Sequence, residues 1–342
     1  MSHRQSPAPA ILVIGPSWVG DMVMAQSLFK LLKHRLPECQ IDVVAPGWSL
    51  PIIQRMSEVR DAHVLDVGHG EGGLGKRYRL GKQLRVKNYS QAIVLPRSFK
   101  SALVPCFANI PQRTGFKGEF RYGVLNDIRP FDKKNLDQTV KRVSYLGLGQ
   151  SSDELEIFQP GLNVDKNNTK RLMAEFSLDS EKFTVALLPG AEYGPAKQWP
   201  TSHFSDLIRR IEQSGAQAWL IGSAKDRPMA QEIVAQAGGA GINLCGKTQL
   251  ADAVDLIAQA DVAVTNDSGL MHIAAAVGSR VIAIYGSSSP DYTPPLTNDA
   301  VINWLQLDCS PCFQRQCKFG HYNCLNHISA ETIFPQLEII HK

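Results

Sequence analysis

VAVTNDSGLMHIAAAVGSRVIAIY, residues Val262–Tyr285, is the stretch that decides the fold. It begins with an apolar run, Val262–Thr265, turns through Asn-Asp-Ser-Gly and continues as a small-residue segment, Gly269–Val277. A second apolar run, Arg280–Tyr285, follows after a glycine. Two short apolar runs separated by a helix-length segment predict a strand–helix–strand unit whose strands are parallel in one sheet.

The same alternation extends along the chain in both directions. In the second half, the other predicted elements are strands Phe183–Leu188 and Ala218–Ile221 and helices over 201–213, capped by Thr201 or Ser202, and Leu250–Ala260. In the first half, they are strands Ala10–Ile14, Ile41–Val44, His63–Val67 and Ala92–Leu95 and helix Met22–Leu36. The predicted fold class is therefore α/β, with two Rossmann-like doubly wound domains that face each other across a cleft.

The chain has 342 residues, which is too long for one ordinary core. We predict a flexible tail over 1–9, a first domain over 10–163, a second domain over 164–328 and a C-terminal helix over 329–342. The polar stretch Val164–Lys170 is the expected hinge between the domains. By analogy with other two-domain folds, the C-terminal helix is expected to pack back on the first domain.

Composition narrows the class of protein. The net charge of +4 suits an anionic ligand but is far below that of a typical nucleic-acid-binding domain. No apolar run reaches the roughly 18 residues of a membrane span, and the first ten residues lack the apolar stretch of a signal peptide. We therefore expect a cytoplasmic protein with reduced cysteines, and a peripheral position on the cytoplasmic face of the inner membrane stays open.

The first glycine turn, IGPSWVGDMV over Ile14–Val23, resembles half of a phosphate-binding loop. Such a loop would continue with Lys and then Ser or Thr, but this chain has Asp21 and Met22 there. A carboxylate cannot bind phosphate, but near a helix N-terminus it stays ionised and can accept a proton. Asp21 is thus a candidate general base, or simply an acid in the first turn of a helix.

Two loops of the second half carry candidate residues for binding a diphosphate. After strand Val262–Thr265, the unpaired N–H groups of the next helix form an anion site, although Asp267 or Ser268 could simply cap that helix. In LLPGAEYGPAKQWP, Lys197 follows a strand and could neutralise a leaving diphosphate. In IGSAKDR, Asp226 could accept hydrogen bonds from a ribose or start the following helix.

Five motifs together resemble the ADP-heptose:lipopolysaccharide heptosyltransferases, glycosyltransferase family 9. They are IGPSWVGDMVMAQSL, LPRSFKSALVP, RTGFKGEFRYGVLND, PGAEYGPAKQWP and TNDSGLMHIAAA, and they occur in this order from about Ile11 to Pro295. Within the family, the chain most resembles the enzymes that add the second heptose. The alternative within the family is the enzyme that acts one step earlier, on Kdo2-lipid A.

The resemblance implies a GT-B fold and an inverting transfer of L-glycero-D-manno-heptose from ADP-heptose to the first heptose of the Kdo2-lipid A inner core. It assigns the acceptor to the first domain, ADP-heptose to the second, and catalytic roles to Asp21, as the base, and Lys197. The implied donor-binding residues are Glu192, Lys197, Asp226, Asp267, Ser268, Gly269, Leu270 and His272. No cofactor is required, and no metal is expected for catalysis.

The acceptor is anionic, so cations are expected around it. We predict acceptor contacts from Gly20, Ser98, Lys100 and Arg121. The segment KRYRLGKQLRVK, Lys76–Lys87, is also basic. It could face anionic lipid at the membrane, but the sequence favours a solvated helix face.

The C-terminal part contains a cysteine cluster, CSPCFQRQCKFGHYNC, with Cys309, Cys312, Cys317 and Cys324. A CxxC pair followed by two more cysteines is compatible with a structural zinc site, and equally with reduced thiols. Two readings from other classes are disfavoured. A nucleotide-dependent oxidoreductase would carry G-x-G-x-x-G after a strand, and a zinc-containing nucleic-acid module would carry a basic stripe.

Overall fold

A computed structural model describes residues 8–68, 71–149 and 154–339. Within these residues the chain forms two compact units, divided after Gln159. The predicted hinge is not a linker, because Lys166–Glu175 is a helix. The Asp165 side chain caps this helix by accepting hydrogen bonds from the backbone N–H groups of Asn167 and Asn168. The polar residues of this stretch are therefore a cap and a first turn.

Unit 1 contains, among its described residues, a parallel six-stranded sheet in the order β3-β2-β1-β4-β5-β6. Its strands are β1 (Ala10–Ile14), β2 (Gln40–Ala45), β3 (Val59–Val64), β4 (Gln91–Val94), β5 (Gln112–Phe116) and β6 (Asp127–Arg129). Its helices are α1 (Val19–Arg35), α2 (Leu50–Ile53), α3 (Leu74–Leu84), α4 (Leu103–Phe107) and α5 (Thr139–Tyr145). Short 3-10 turns lie at Gly47–Ser49, Arg85–Lys87 and Phe99–Ala102.

Unit 2 repeats this plan with a parallel sheet in the order β12-β11-β10-β7-β8-β9 in the described part of the chain. Its strands are β7 (Thr184–Leu188), β8 (Gln217–Leu220), β9 (Ile242–Asn243), β10 (Val262–Asn266), β11 (Arg280–Tyr285) and β12 (Ala300–Trp304). Its helices are α6 (Lys166–Glu175), α7 (Thr201–Gln213), α8 (Arg227–Gln236), α9 (Leu250–Ile257), α10 (Gly269–Val277), α11 (Asn323–Asn326) and α12 (Ala330–Ile333). Short 3-10 turns lie at Pro195–Lys197, Ala224–Asp226 and Phe334–Leu337.

The central strands are buried on both faces, as their continuous apolar sequences predict. All residues of β7 and β10 are buried, and β1 is buried from Ile11 onward. The strands that the sequence analysis did not identify are β5, β6, β9 and β12. They lie in the outer positions of the two sheets and are short, polar or only partly buried, so they carry a weak periodic signal.

The C-terminal segment is not the single helix that the sequence predicts. Helix α12 changes into a 3-10 turn in which Pro335, lacking an N–H, cannot continue the α-helical hydrogen bonds. Ile333 and Leu337 belong to the core of unit 2, and Glu338 pairs with Arg280 at 2.6 Å. The predicted packing of this segment on the first domain stays a prediction, and residues 340–342 lie outside the described residues.

Two further expectations concern helix starts. Helix α1 begins at Val19, three residues before the predicted start, so Asp21 lies in its first turn. Helix α7 begins at Thr201, but Pro200 occupies the cap position and neither predicted side chain caps the helix.

In the part of the chain that the structure describes, no helix is both long and apolar enough to cross a membrane.

Close packing of α3 on α4 depends on Gly81. A Cβ added there would lie 2.5 Å from the Phe107 Cβ and 2.9 Å from the Val104 carbonyl oxygen. Gly75, in the same helix, has no described atom within 4 Å of an added Cβ. The two glycines therefore offer a matched comparison.

We expect Gly81→Ala to destabilise the protein by about 1–3 kcal/mol because the methyl group overpacks the α3–α4 contact. Gly75→Ala should instead stabilise it by about 0.4–1 kcal/mol, because alanine restricts the unfolded chain. Urea denaturation of both variants measures the difference. Equal effects at the two positions would contradict the close approach of α3 to α4.

Candidate active site

The turn between β10 and α10 and the first turn of α10 present polar atoms that have no partner in the described part of the chain. Ser268 occupies the N-cap position, yet its side chain makes no capping hydrogen bond, and its buried Oγ has no partner among the described residues. The neighbouring Asp267 carboxylate binds Lys197 and Thr293 instead of the helix. The alternative that Asp267 or Ser268 merely caps α10 is therefore wrong, and the helix N-terminus remains available to an anion.

The structure brings Lys197 and Asp267 together from loops that are 70 residues apart in sequence. The Lys197 Nζ lies 2.5 Å from an Asp267 carboxylate oxygen, and the two side chains are 18% and 5% exposed. The ammonium also lies 5.1 Å from the centre of the Tyr193 ring. A buried ion pair requires good geometry to compensate for lost hydration, so this pair fixes the position of the Lys197 charge.

Asn266, the last residue of β10, holds these loops in place. Its Oδ1 accepts a hydrogen bond from the Trp199 backbone N–H at 3.0 Å, and its Nδ2 donates to the Pro189 carbonyl at 2.7 Å. The amide thus ties both ends of the loop after β7 to the end of β10. Sequence reasoning missed Asn266, although an asparagine at the end of a buried strand was the available signal.

His272 lies in the first turn of α10 and is buried. Burial lowers the pKa of His272 to about 4, and Lys197 also lowers it, while Asp267 acts in the opposite direction. The ring is therefore neutral near pH 7. Its Nδ1 is buried and has no hydrogen-bond partner among the described residues. Gly269 and Leu270 lie beside it in the same turn and are half-buried.

Two further buried hydroxyls, Ser287 and Ser288, follow the carboxyl end of β11. Neither Oγ has a partner in the described part of the chain. Because β11 pairs with β10, this loop lies at the same edge of the sheet as Asp267. Sequence reasoning missed these serines, and a Gly-Ser-Ser-Ser run after a predicted strand was the signal.

The remaining predicted donor residues have protein partners. Glu192 forms an exposed ion pair with Lys225 at 2.5 Å. One oxygen of the Asp226 carboxylate accepts bonds from the Ser223 N–H at 2.8 Å and from its hydroxyl at 2.7 Å. This capping box supports the interpretation that Asp226 starts the following helix. A ribose contact from Asp226 stays a prediction.

In unit 1, Asp21 and Gly20 lie in the first turn of α1, directly after the first glycine turn. Asp21 is half-buried and Gly20 is buried. The positive end of the α1 dipole favours a negative charge at Asp21. A Cβ at Gly15 would lie 2.5 Å from the Met22 methyl carbon, so glycine allows the turn to approach the helix.

The predicted acceptor residues differ in how they are held. Ser98 precedes the turn Phe99–Ala102, and the Lys100 Nζ donates to the Glu71 carbonyl at 3.0 Å. Arg121 is only 2% exposed and donates to the carbonyls of Pro96 and Phe116. Both terminal nitrogens of Arg121 thus bind backbone oxygens, whereas its buried Nε has no partner among the described residues. An acceptor contact from Arg121 stays a prediction.

In the described cysteine cluster, no three Sγ atoms lie within 4.8 Å of one another. Among the described residues, one group of three His, Cys, Asp or Glu side chains has ligand atoms within 4.8 Å of one another, and it is Asp42, Asp61 and His63. In that group, Arg60 and Tyr89 already bind the Asp42 carboxylate at 2.6 and 2.5 Å.

The four cysteines are free thiols. Burial and the neighbouring cysteine charges raise the pKa of Cys324 to about 11, whereas a hydrogen bond from the Tyr322 N–H lowers the pKa of Cys317. A tetrahedral zinc site would bring each sulfur to about 2.3 Å from the metal. The structural zinc stays a prediction.

Residues 77–323 match glycosyltransferase family 9 (heptosyltransferase). The chain belongs to this family. It is 44% identical to lipopolysaccharide heptosyltransferase 2 of Salmonella typhimurium, with 96% of this chain and 97% of that protein covered. It is 47% identical to lipooligosaccharide heptosyltransferase 2 of Haemophilus influenzae, with 96% and 98% covered.

A solved structure supports the same assignment. The chain resembles ADP-heptose lipopolysaccharide heptosyltransferase II of E. coli with a TM-score of 0.86 and 43% identity, over 96% of this chain and 97% of that one. Together with the two parallel sheets of this chain, this similarity confirms the predicted GT-B fold class and membership of the heptosyltransferase family.

The buried neutral His272 makes stability depend on pH. Since its pKa is about 4 in the folded protein and about 6.5 when unfolded, the unfolded chain binds more protons between these values. The contribution of the neutral His272 ring to the free energy of unfolding is therefore complete above about pH 6.5 and is lost as the pH falls towards 4. Between wild type and His272→Gln, we expect the difference in unfolding free energy to shrink by up to about 3 kcal/mol on acidification. Urea denaturation at several pH values tests this, and a constant difference would contradict a buried neutral ring.

Proposed function

We propose that this heptosyltransferase transfers L-glycero-D-manno-heptose from ADP-heptose to the first heptose of the Kdo2-lipid A inner core, with inversion at the anomeric carbon. The observation that carries the proposal is the set of groups at the start of α10. Ser268 and His272 offer buried atoms without partners among the described residues, next to the ion pair of Lys197 and Asp267.

On the donor side, the start of α10 suits a diphosphate. The unpaired N–H groups of the first turn and the positive end of the helix dipole both favour an anion. The Ser268 hydroxyl can donate a hydrogen bond to a phosphate oxygen. The Lys197 ammonium, held by Asp267 at 2.5 Å, supplies positive charge where the ADP leaving group gains negative charge.

On the acceptor side, Asp21 supplies the base. The acceptor hydroxyl oxygen forms a bond to the anomeric carbon while the bond from that carbon to the phosphate oxygen breaks. The electron pair of the broken bond leaves with ADP, and the hydroxyl proton passes to the Asp21 carboxylate. A positioned base typically contributes about 10²–10⁴-fold to the rate.

The choice of acceptor rests on the relatives. Those of 44–47% identity that cover nearly the whole chain are named heptosyltransferase 2, which favours the enzyme of the second step over that of the first. Because the proposed acceptor is attached to lipid A, we propose that the reaction takes place at a membrane surface. The oxidoreductase alternative is not favoured.

Ser268→Ala separates ligand binding from helix capping. If the hydroxyl binds ADP, we expect the variant to bind ADP about tenfold more weakly, the loss of one hydrogen bond to a charged group. The stability of the ligand-free protein should change little, because the Oγ makes no hydrogen bond to the residues that the structure describes. Calorimetric titration with ADP and thermal denaturation measure the two effects. A loss of about 1 kcal/mol of stability with unchanged ADP affinity would show capping instead.

Asp21→Asn tests the base and the acceptor together. Mass spectrometry should show that wild type adds one heptose to the Hep-Kdo2 acceptor and none to Kdo2-lipid A. The variant should bind ADP normally but transfer about 10²–10⁴-fold more slowly, because an amide cannot take the proton. Asp137→Asn, the same change at an exposed acid of unit 1, is the control and should remain active. Full activity of Asp21→Asn would remove Asp21 from this role, and addition to Kdo2-lipid A would identify the enzyme of the first step.

A further inference from the structure

The charge of this chain is unevenly distributed along its sequence. Residues 72–118 contain ten Lys and Arg and no Asp or Glu. Since the whole chain has a net charge of +4, all other residues together carry −6. The excess of positive charge therefore belongs to one segment of unit 1, which runs from the start of α3 to the loop after β5.

Helix α3 exposes one side of this segment and buries the other. Arg77, Gly81 and Leu84 are buried, and this side packs on α4. Tyr78, Arg79 and Lys82 are exposed and lie at spacings that share the opposite side of the helix. The Lys82 ammonium lies 5.7 Å from the centre of the Tyr78 ring.

Large apolar side chains are exposed at both ends of α3. Leu74, the first residue of the helix, is 61% exposed. Val86, in the turn that follows the helix, is 80% exposed, and Tyr78 is 46% exposed. Basic, aromatic and aliphatic side chains on one exposed surface are typical of segments that lie at the interface of a bilayer.

The positive charges of the segment are hardly neutralised by the protein. Of the ten basic side chains, Lys87 is the one that pairs with a described carboxylate, that of Asp61 at 3.4 Å. Within the described residues, the Arg79 Nε reaches only a carbonyl of its own helix, that of Gly75 at 3.4 Å. The exposed charges of Arg79 and Lys82 are thus available to an external anion.

The segment also adjoins a predicted acceptor residue. The Lys100 Nζ donates to the Glu71 carbonyl at 3.0 Å, which connects the loop before α3 to the turn that carries Lys100. A surface that contacted the bilayer at α3 would therefore lie beside residues expected to meet the acceptor sugars.

We propose that the surface formed by Leu74, Tyr78, Arg79, Lys82 and Val86, the α3 surface, docks unit 1 on a bilayer that contains anionic lipids. The choice of a bilayer rests on the proposed function, whose acceptor is attached to lipid. Exposed Leu74 and Val86 also favour it over a nucleic acid, which offers no apolar phase for aliphatic side chains. From the sequence alone we expect a solvated face for this helix. The structure adds that Leu74, Tyr78 and Val86 are exposed, which the sequence does not show.

The test is co-sedimentation of the full chain with vesicles of phosphatidylcholine alone and with added phosphatidylglycerol. We expect binding to the anionic vesicles at low salt, and weak binding to the neutral vesicles or at high salt. The double variant Arg79→Gln, Lys82→Gln should bind about 25-fold more weakly, at about fivefold for each basic side chain near the surface. Val86→Ser, which keeps all charges, should also weaken binding.

The matched control is Lys166→Gln, Lys170→Gln. These two exposed lysines lie on α6 of unit 2 and can be neutralised without changing α3. The control should bind vesicles like wild type. Equal losses of vesicle binding in both double variants would show that only the net charge matters, and would overturn the proposal. Unchanged vesicle binding of the α3 double variant would overturn it as well. Tight binding of a DNA duplex that is abolished by the α3 changes, without vesicle binding, would also overturn it.

A second measurement distinguishes failure of membrane docking from failure of the proposed heptose transfer. With a delipidated acceptor in solution, the α3 double variant should transfer heptose at the wild-type rate. With the lipid-linked acceptor in anionic vesicles, it should be at least about tenfold slower than wild type at low enzyme concentration. Vesicle binding without transfer to either acceptor would refute the proposed function but not docking, whereas equal rates of both proteins on vesicles would refute docking alone.

Discussion

Burial of the central strands on both faces is the constraint on which the rest of this structure depends. Every residue of β10 is buried, so a polar side chain there needs a protein partner to replace water. Asn266 meets this requirement at the last position of the strand, where its amide binds the backbone of the loop after β7. Buried hydroxyls without a partner among the described residues therefore lie just beyond the strand ends, at Ser268 and in the loop of Ser287 and Ser288.

The donor-side groups form one connected arrangement. Asn266 positions the loop that carries Lys197, and Asp267 holds the Lys197 ammonium at 2.5 Å. Burial and this ammonium keep His272 neutral, so its ring adds no positive charge. In the proposed function, the helix N-terminus and Lys197 supply the positive charge for an anion at the start of α10.

Unit 1 uses its cations in two ways. Arg121 is buried, and burial lowers its pKa while it binds the carbonyls of Pro96 and Phe116. These bonds connect the loop after β4 to the end of β5. The cations on the outer side of α3 have few partners among the described residues. On the opposite side of the helix, Gly81 allows close packing against α4. Arginine therefore serves structure at position 121 and, in the proposed docking, an external anion at position 79.

The sequence by itself determined the fold class, the strand–helix–strand units and the position of the main loops. The predicted bounds of α10 and β11 agree with the structure residue by residue, because a glycine turn and uninterrupted apolar runs mark them. It also indicated Lys197, Asp267 and Ser268. Tertiary structure decided which side chains pair: Lys197 with Asp267, Asp226 with Ser223, and Arg121 with backbone carbonyls. It also revealed Asn266, the buried serines and the exposed side of α3. The physical reason is that propensity and periodicity act over a few neighbouring residues, whereas hydrogen-bond partners and burial depend on loops brought together from distant strands.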